Sequence, residues 1–171
     1  MPHTDRTILA FDPGLRELGF AAIAGRRLVA GGVIALRLVP KARRLAEARQ
    51  RIAALVAAHR PRVIVVERTY RHPVPWLDDL HRLTLSARRL ARTRRIAFAT
   101  YSPQAVRKDV AGNGKAKKPE VAIAVAQRFP QLRVYLTQDR RWKERFWLNM
   151  FDAVALALRH QAQTQPPSRS R

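Results

Sequence analysis

Three acidic residues interrupt apolar segments of this sequence, and they limit the folds that the chain can adopt. Asp12 and Glu67 each end an apolar run, and Asp152 lies inside a third one between Phe146 and Leu158. A carboxylate in such a segment is costly to bury unless a partner compensates its charge. Because the chain has only 12 acidic residues against 34 basic ones, three at such places favour a shared cation. The pattern is typical of a divalent-metal site.

Length and charge suggest one domain that binds a polyanion. The 171 residues, of which 47% are hydrophobic, suffice for a single core. We expect one domain over residues 1–160, followed by a disordered basic tail at 161–171 that is rich in Gln, Pro, Ser and Arg. The net charge of +22 favours nucleic acid as the partner. A biased genome that yields only a solvated basic surface is the alternative.

The composition excludes several classes of site. The chain has no cysteine, which rules out disulfides, thiolate zinc sites and cysteine nucleophiles. No apolar run reaches the roughly 18 residues that a membrane span needs, and no signal peptide is recognisable. The sequence therefore predicts a cytoplasmic protein with no membrane partner.

Apolar runs and turn residues predict five strands and five helices. The strands are expected at residues 7–12, 18–24, 28–36, 62–67 and 96–101. The helices are expected at 41–59, 76–92, from 103 onward, 119–129 and 145–159, with a basic loop at 112–118 and a polar connection at 130–144. This order predicts an α/β fold with a five-stranded mixed sheet, its first three strands antiparallel, flanked by helices on both faces. In such sheets, sites form beyond the carboxyl ends of parallel strands, where Asp12 and Glu67 would lie.

A fourth polar residue extends the acidic set. Asn149 precedes Asp152 by three residues, so both would share one helical face, and an amide oxygen can coordinate a metal. Two divalent cations held by such ligands can activate a water and stabilise the leaving oxygen of a phosphodiester. Each residue also has a structural explanation: Asp12 as a turn residue, Glu67 in a strand-end ion pair, Asp152 paired with a buried Arg, and Asn149 as a hydrogen-bonding neighbour.

Several motifs, taken in order, resemble the RuvC family of Holliday junction resolvases. They are Asp12–Leu15, Leu18–Ala21, Glu67, Ser102–Lys108, Gly112–Lys118 and Asp152–Leu156. The resemblance extends from residue 7 to residue 158. It implies a ribonuclease H-like fold and a homodimer that nicks two opposed strands of a four-way DNA junction. It also implies Mg²⁺, with Mn²⁺ as a substitute and two ions per active site, and makes branch-migration proteins candidate partners.

The resemblance assigns roles to the acidic residues. By position, Asp12, Glu67 and Asp152 match metal ligands of the family. Asn149 matches the position of a further ligand, which is usually Asp and in some relatives His. Because an amide is neutral, this departure leaves the site with one negative charge fewer.

The resemblance also assigns residues to DNA binding. Tyr70 matches an aromatic position that stacks at the junction crossover, where stacking contributes about 1 to 3 kcal/mol per base. The basic residues that match or adjoin DNA-contacting positions are Arg107, Lys108, Lys115, Lys117 and Lys118. Packing of Tyr70 on the sheet edge and a merely solvated basic loop are the alternatives. The helix that begins near Trp76 is the candidate dimer face, although core packing explains its apolar stripe equally well.

Three functions are consistent with these residues. The leading hypothesis is a structure-selective DNA endonuclease that resolves Holliday junctions by paired, metal-dependent phosphodiester hydrolysis. The second is a protein that binds junctions or branched DNA with weak or no nuclease activity, which Asn149 favours. The third is a YqgF-like RNA-processing nuclease, because that group shares an opening like Asp12–Gly19, but Glu67 and the segment Gly112–Lys115 fit RuvC better.

Overall fold

One five-stranded sheet organises the structure, a computed structural model that describes residues 7–136 and 141–164. Its strands, in sheet order, are β3 (Arg27–Ala35), β2 (Glu17–Ala24), β1 (Thr7–Asp12), β4 (Val63–Glu67) and β5 (Ala97–Tyr101). Strands β1, β2 and β3 pair antiparallel, whereas β1, β4 and β5 run parallel. The predicted mixed sheet is confirmed, and the carboxyl ends of β1, β4 and β5 meet at one edge.

Five α-helices connect and cover the strands. They are α1 (Arg44–His59), α2 (Pro75–Thr93), α3 (Pro103–Ala111), α4 (Lys118–Arg128) and α5 (Arg141–Thr164). Helices α2, α3 and α4 each carry a proline in the first turn, where its missing N–H costs nothing. Helix α1 ends as Arg60 adopts a left-handed conformation (φ 42°) before Pro61. None of the helices in the described ranges is long and apolar enough to cross a membrane.

Alternating side chains of the sheet build two apolar layers. In β1, Leu9 and Phe11 pack in the layer of α1 and α2, whereas Ile8 and Ala10 pack in the layer of α3, α4 and α5. Strand β4 alternates in the same way. Both faces of the sheet are therefore covered by helices, as the sequence predicted, and the parity of a residue within a strand decides which layer its side chain enters.

The segment predicted as a connection between α4 and α5 is more ordered than expected. Residues Pro130–Tyr135 form a 3-10 helix, and α5 begins at Arg141 rather than at 145. Leu132, only 4% exposed, anchors the 3-10 helix in the core. A single buried side chain among polar ones has no periodicity, which is why the sequence pattern did not reveal it.

The last helix is also longer than predicted. Helix α5 continues to Thr164, so the prediction of a disordered tail is wrong for residues 161–164, and residues 165–171 lie outside the described ranges. Gln161 is buried and donates a hydrogen bond from its side chain to the carbonyl oxygen of Gly25, in the turn between β2 and β3. The polar composition of these residues concealed this contact, which fastens the end of α5 to the sheet.

Candidate active site

The site begins with two carboxylates at the carboxyl ends of adjacent parallel strands. Phe11 of β1 lies opposite Val66 of β4, so the next residues, Asp12 and Glu67, end the two strands side by side. Asp12 has the parity of Ala10, and its side chain therefore belongs to the face that α5 covers. Glu67 has the corresponding parity in β4. The alternation of side chains along the two strands therefore puts both carboxylates on the face of the sheet that α5 covers.

Asp152 of α5 completes a cluster of three carboxylates. Asp12 is 9% exposed, and its pKa is raised well above the usual value by burial and then by the charges of Asp152 and Glu67. The pKa of Glu67 is raised by burial and then by the charge of Asp152. Asp152 therefore opposes the ionisation of Asp12 and of Glu67, and Glu67 opposes that of Asp12. Three residues spread over 140 positions of sequence lie in one electrostatic cluster.

Lys118, the first residue of α4, supplies a positive charge to this cluster. Its ammonium group donates to a carboxylate oxygen of Asp152, whose side chain is 15% exposed. Burial alone would lower the pKa of Lys118, but the charges of Asp152, Asp12 and Glu67 outweigh it and raise the pKa. The sequence grouped Lys118 with DNA-binding residues, whereas the structure brings it into contact with the acidic set.

Arg107 of α3 adds a second positive charge beside the carboxylates. Its guanidinium charge acts on Glu67 and partly offsets the rise in the pKa of that residue. The alternative that Asp152 pairs with a buried Arg does not hold, since its partner is Lys118. The cluster therefore combines three carboxylates with two basic residues at its border.

Asn149 lies one helical turn before Asp152, with its amide turned to another carboxylate. Its Nδ2 atom donates to Oε2 of Glu17 at 3.3 Å. The main chain of α5 is unusually close here, because a Cβ atom on Gly19 would stand 2.0 Å from the carbonyl oxygen of Asn149. A glycine is therefore required at position 19, and it seats α5 directly on β2. The sequence analysis did not identify Glu17 as a site residue. The available signal was its position two residues before Gly19 in β2, which puts both residues on the same face of the strand.

The donor set fits a hard divalent cation. Carboxylate and amide oxygens are the ligands that Mg²⁺ and related ions prefer, and mutually repelling buried carboxylates are stabilised by a shared cation. Within residues 7–136 and 141–164, no three Asp, Glu or His side chains stand as ligands around a single point. Lys118 holds Asp152 in this arrangement, so its ammonium takes the compensating role that a metal ion would otherwise have.

The other predicted DNA-binding residues lie at the surface. Tyr70 follows β4 by three residues and is 66% exposed, so it does not pack against the sheet edge. Lys108, Lys115 and Lys117 are exposed, and Lys117 donates its backbone N–H to Glu120 at 2.6 Å as α4 begins. Lys115 and Lys117 lie in the loop after α3, which turns at Gly112 with a φ of 73°. The ring of Tyr70 and the charges of the three lysines are thus exposed at the surface.

Comparison with known proteins decides the family. The family model described as crossover junction endodeoxyribonuclease RuvC matches residues 8–160 of this chain. The chain belongs to the RuvC family. The matched region includes all four candidate metal-ligating residues and all candidate DNA-binding residues of the sequence analysis.

Individual RuvC proteins match over most of their length. The crossover junction endodeoxyribonuclease RuvC of Azorhizobium caulinodans is 29% identical over 162 residues, which cover 90% of this chain and 88% of that protein. The RuvC of Halorhodospira halophila is 30% identical over 167 residues and has the same coverage of both chains. The likeness thus extends over nearly the whole of each protein.

A solved RuvC structure has the same fold. The structure of Thermus thermophilus RuvC in complex with a Holliday junction substrate superposes with a TM-score of 0.69 at 21% identity, covering 91% of this chain and 92% of that one. The ribonuclease H-like fold implied by the sequence is therefore confirmed.

Proposed function

We propose that this chain is a structure-selective endonuclease that resolves four-way DNA junctions by paired phosphodiester hydrolysis. Family membership supports the reaction class. The observation that carries the proposal is the gathering of Asp12, Glu67 and Asp152 from two strands and a helix into one buried, mutually repelling cluster. We take residues 1–160 as one nuclease domain that acts on DNA in the cytoplasm.

Asp12, Glu67, Asp152 and the amide oxygen of Asn149 are the residues proposed to hold divalent metal. Mg²⁺ is the proposed ion, with Mn²⁺ as a substitute and two ions per site. A bound cation would polarise the scissile phosphate and lower the pKa of a water molecule. Asp12 and Glu67 hold their carboxylates on rigid strand ends, and α5 fixes the position of Asp152, so the chain pre-arranges its ligands.

Lys118 has one role before a cation binds and another after it has bound. Before a cation binds, its ammonium neutralises Asp152 and limits repulsion within the cluster. Once a cation takes over that carboxylate, the ammonium is released at the border of the site, where a DNA phosphate would attract it. Arg107, whose charge reaches Glu67, is placed to attract the same backbone. The two residues would hold the scissile strand against the carboxylates.

Recognition of the junction would combine phosphate contacts with stacking. The net charge of +22 favours any DNA backbone without regard to sequence, so charge alone does not select a junction. Lys108, Lys115 and Lys117 would neutralise phosphates next to the site. The exposed ring of Tyr70 would stack on a base that is unstacked at the crossover, which linear duplex does not offer. Selection of branched DNA would therefore depend on Tyr70.

Paired nicking requires two active sites, so we propose a homodimer. Helix α2 is the proposed dimer face because Leu85 is 43% exposed although Leu83, Ala87 and Ala91 of the same helix are buried in the core. The resemblance to RuvC supplies the expectation of a dimer; a single exposed leucine is ordinary at a protein surface and indicates only where on α2 a second copy would pack. Branch-migration proteins are proposed as further partners.

The second candidate is a junction-binding protein with weak or no nuclease activity. The neutral amide of Asn149 favours it, because one carboxylate fewer lowers the attraction for a second cation. Tight junction binding would need only the basic residues and Tyr70, and the chain has these residues whether or not it cleaves DNA.

The deciding experiment compares cleavage of a labelled four-way junction with cleavage of matched linear duplex, in Mg²⁺ and in Mn²⁺. We expect symmetric paired nicks from the wild type, and a loss of at least about 100-fold in Asp152→Asn. Junction binding by this variant should persist or increase, since the change frees Lys118 and removes a charge that repels phosphate. Glu47→Gln, which neutralises a carboxylate that pairs with Arg51 on α1, is the matched control.

Each outcome separates the candidates. Junction binding by the wild type without nicks in either metal would support the second candidate. Cleavage retained in Asp152→Asn would exclude Asp152 from the active site.

A further inference from the structure

Glu17 is the acidic residue of this region that has no assigned role. It begins β2, two residues before Gly19, and its side chain is 24% exposed. Its Oε2 atom accepts a hydrogen bond from Nδ2 of Asn149 at 3.3 Å, and its Oε1 atom lies 3.4 Å from Nη1 of Arg37. Arg37 in turn lies over the ring of Phe146, 5.5 Å from its centroid. Both oxygens of Glu17 are therefore engaged, one by each partner.

The contact determines which way the Asn149 amide is turned. An ionised carboxylate only accepts hydrogen bonds, and an amide oxygen cannot donate one. Nδ2 of Asn149 must therefore face Glu17, because the reverse orientation would bring two oxygens together. As the amide is planar with its two polar atoms on opposite sides, Oδ1 is directed away from Glu17. The only side-chain atom of Asn149 that can ligate a metal therefore points away from Glu17.

The main chain beneath Asn149 is fixed as well. The carbonyl oxygen of Asn149 occupies the space of the missing Cβ of Gly19, two residues along β2 from Glu17 and on the same face. Gly19 pairs with Asp12 in the sheet. Strand β2 therefore sets both the backbone position of Asn149, through Gly19, and the orientation of its amide, through Glu17.

We infer that Glu17 is a positioning residue of the metal site: it holds the Asn149 amide so that Oδ1, and not Nδ2, is presented to the cation. The inference rests on the proposed function. A neutral ligand at position 149 is usable only if its orientation is fixed, since a reversed amide would present two N–H groups to a cation. The carboxylate of Glu17 also retains a negative charge near this ligand.

The substitution Glu17→Gln should reverse the amide. A glutamine has one acceptor oxygen, and the positive charge of Arg37 competes for it. Its NH₂ group would then face Asn149 and draw Oδ1 toward itself, away from the cation. In an Asn149→Asp background the orientation no longer matters, because a carboxylate presents an oxygen whichever way it is turned. The positioning role therefore predicts a large loss of cation affinity with the amide at position 149 and a clearly smaller one with the carboxylate.

The test is the affinity for Mn²⁺, measured by titration calorimetry on the full chain without DNA. Glu17→Gln should bind Mn²⁺ about tenfold more weakly than the wild type, the scale of losses when the partner of a metal ligand is removed. Glu17→Gln added to Asn149→Asp should lower the Mn²⁺ affinity by clearly less than tenfold relative to Asn149→Asp alone. Glu47→Gln is the matched control, because Glu47 pairs only with Arg51 on α1, across the sheet from the site, and should leave the affinity unchanged.

Other outcomes would overturn the inference, and they distinguish a wrong role for Glu17 from a wrong assignment of the metal site. A similar loss in both backgrounds would mean that Glu17 contributes only charge or stability. Equal affinity of wild type and Glu17→Gln would remove Glu17 from the site while leaving the proposed metal site intact. Absence of Mn²⁺ binding by the wild type would refute the metal site itself. If Glu17→Gln does not fold, Glu17→Ala removes the acceptor without adding a donor, and unchanged Mn²⁺ affinity in that variant would be equally decisive against the inference.

Discussion

Lys118 and Asp152 form an ion pair at the border of the candidate active site, joining the start of α4 to α5. The pair places a positive charge among three carboxylates that otherwise repel one another. A metal ion held by Asp152, as proposed, would therefore compete with this ammonium for the carboxylate.

Lys118→Met should lower the stability of the protein in EDTA, because it leaves the carboxylates without their compensating charge. Thermal unfolding in EDTA and in excess Mn²⁺ measures the effect, and the deficit should be largely restored by Mn²⁺. Lys115→Met, in the exposed loop before α4, should leave both values unchanged. A deficit that Mn²⁺ does not reduce would indicate a purely structural role for Lys118.

Asp12→Asn should raise the melting temperature in EDTA while lowering cleavage by at least about 100-fold. Asp12 is buried, and its raised pKa means that the folded protein disfavours its charge. Removing that charge relieves repulsion but also removes a ligand, so stability and activity change in opposite directions. Differential scanning calorimetry measures the melting temperature, and a junction cleavage assay measures the activity. A lowered melting temperature of Asp12→Asn in EDTA would contradict the view that the folded protein disfavours the charge of Asp12.

The stability difference between Asp12→Asn and wild type should shrink as pH falls. A carboxyl group with a raised pKa binds its proton more tightly in the folded state, so ionisation costs stability above that pKa. The penalty is present at neutral pH, diminishes as pH falls through the raised value, and is absent below the usual value of 3.8. Urea unfolding in EDTA at a series of pH values measures the difference, which should not depend on pH if Asp12 has an ordinary pKa.

Gly19→Ala should destabilise the fold by about 1 to 3 kcal/mol or more, because the added Cβ would stand 2.0 Å from the Asn149 carbonyl oxygen. Helix α5 would have to move away from β2, and Mn²⁺ affinity should fall with stability. Urea unfolding provides the measurement. Gly31→Ala is the control, since its Cβ would meet Met150 at an ordinary 3.6 Å.

Tyr70→Ala should weaken junction binding by about 1 to 3 kcal/mol while leaving stability unchanged, because the ring is 66% exposed. Tyr70→Phe, which retains a stacking ring, should bind as the wild type does. Affinity for four-way junction and for linear duplex, measured at one salt concentration, tests this. An equal loss on both DNAs would show that Tyr70 does not select the junction.

The sheet and its carboxylates were predictable from sequence because both are properties of regular strands. The apolar runs that end in Asp12 and Glu67 specify buried parallel strands, and parallel strands bring their carboxyl ends to one edge. Asp152 could be proposed as a candidate metal ligand for a related reason. A carboxylate within the apolar segment of α5 is costly to bury unless another group compensates its charge.

The remaining features depend on contacts between distant residues. Glu17 and Asn149 are 132 positions apart, and neither residue type predicts the other. The contact between Lys118 and Asp152 was equally invisible, because a lysine in a basic loop is more simply explained by DNA. The end of α5 depends on Gln161 reaching Gly25, a contact between two polar groups that hydrophobic periodicity does not register.

The close seating of α5 on Gly19 bears on how such a site can change during evolution. At Gly19 the contact is made by the main chain of α5, so this close approach does not depend on the side chain at position 149. The chemistry of the proposed ligand at this position can therefore change, for example from carboxylate to amide, without loss of the approach. A new pairing such as that with Glu17 can then arise later, one substitution at a time.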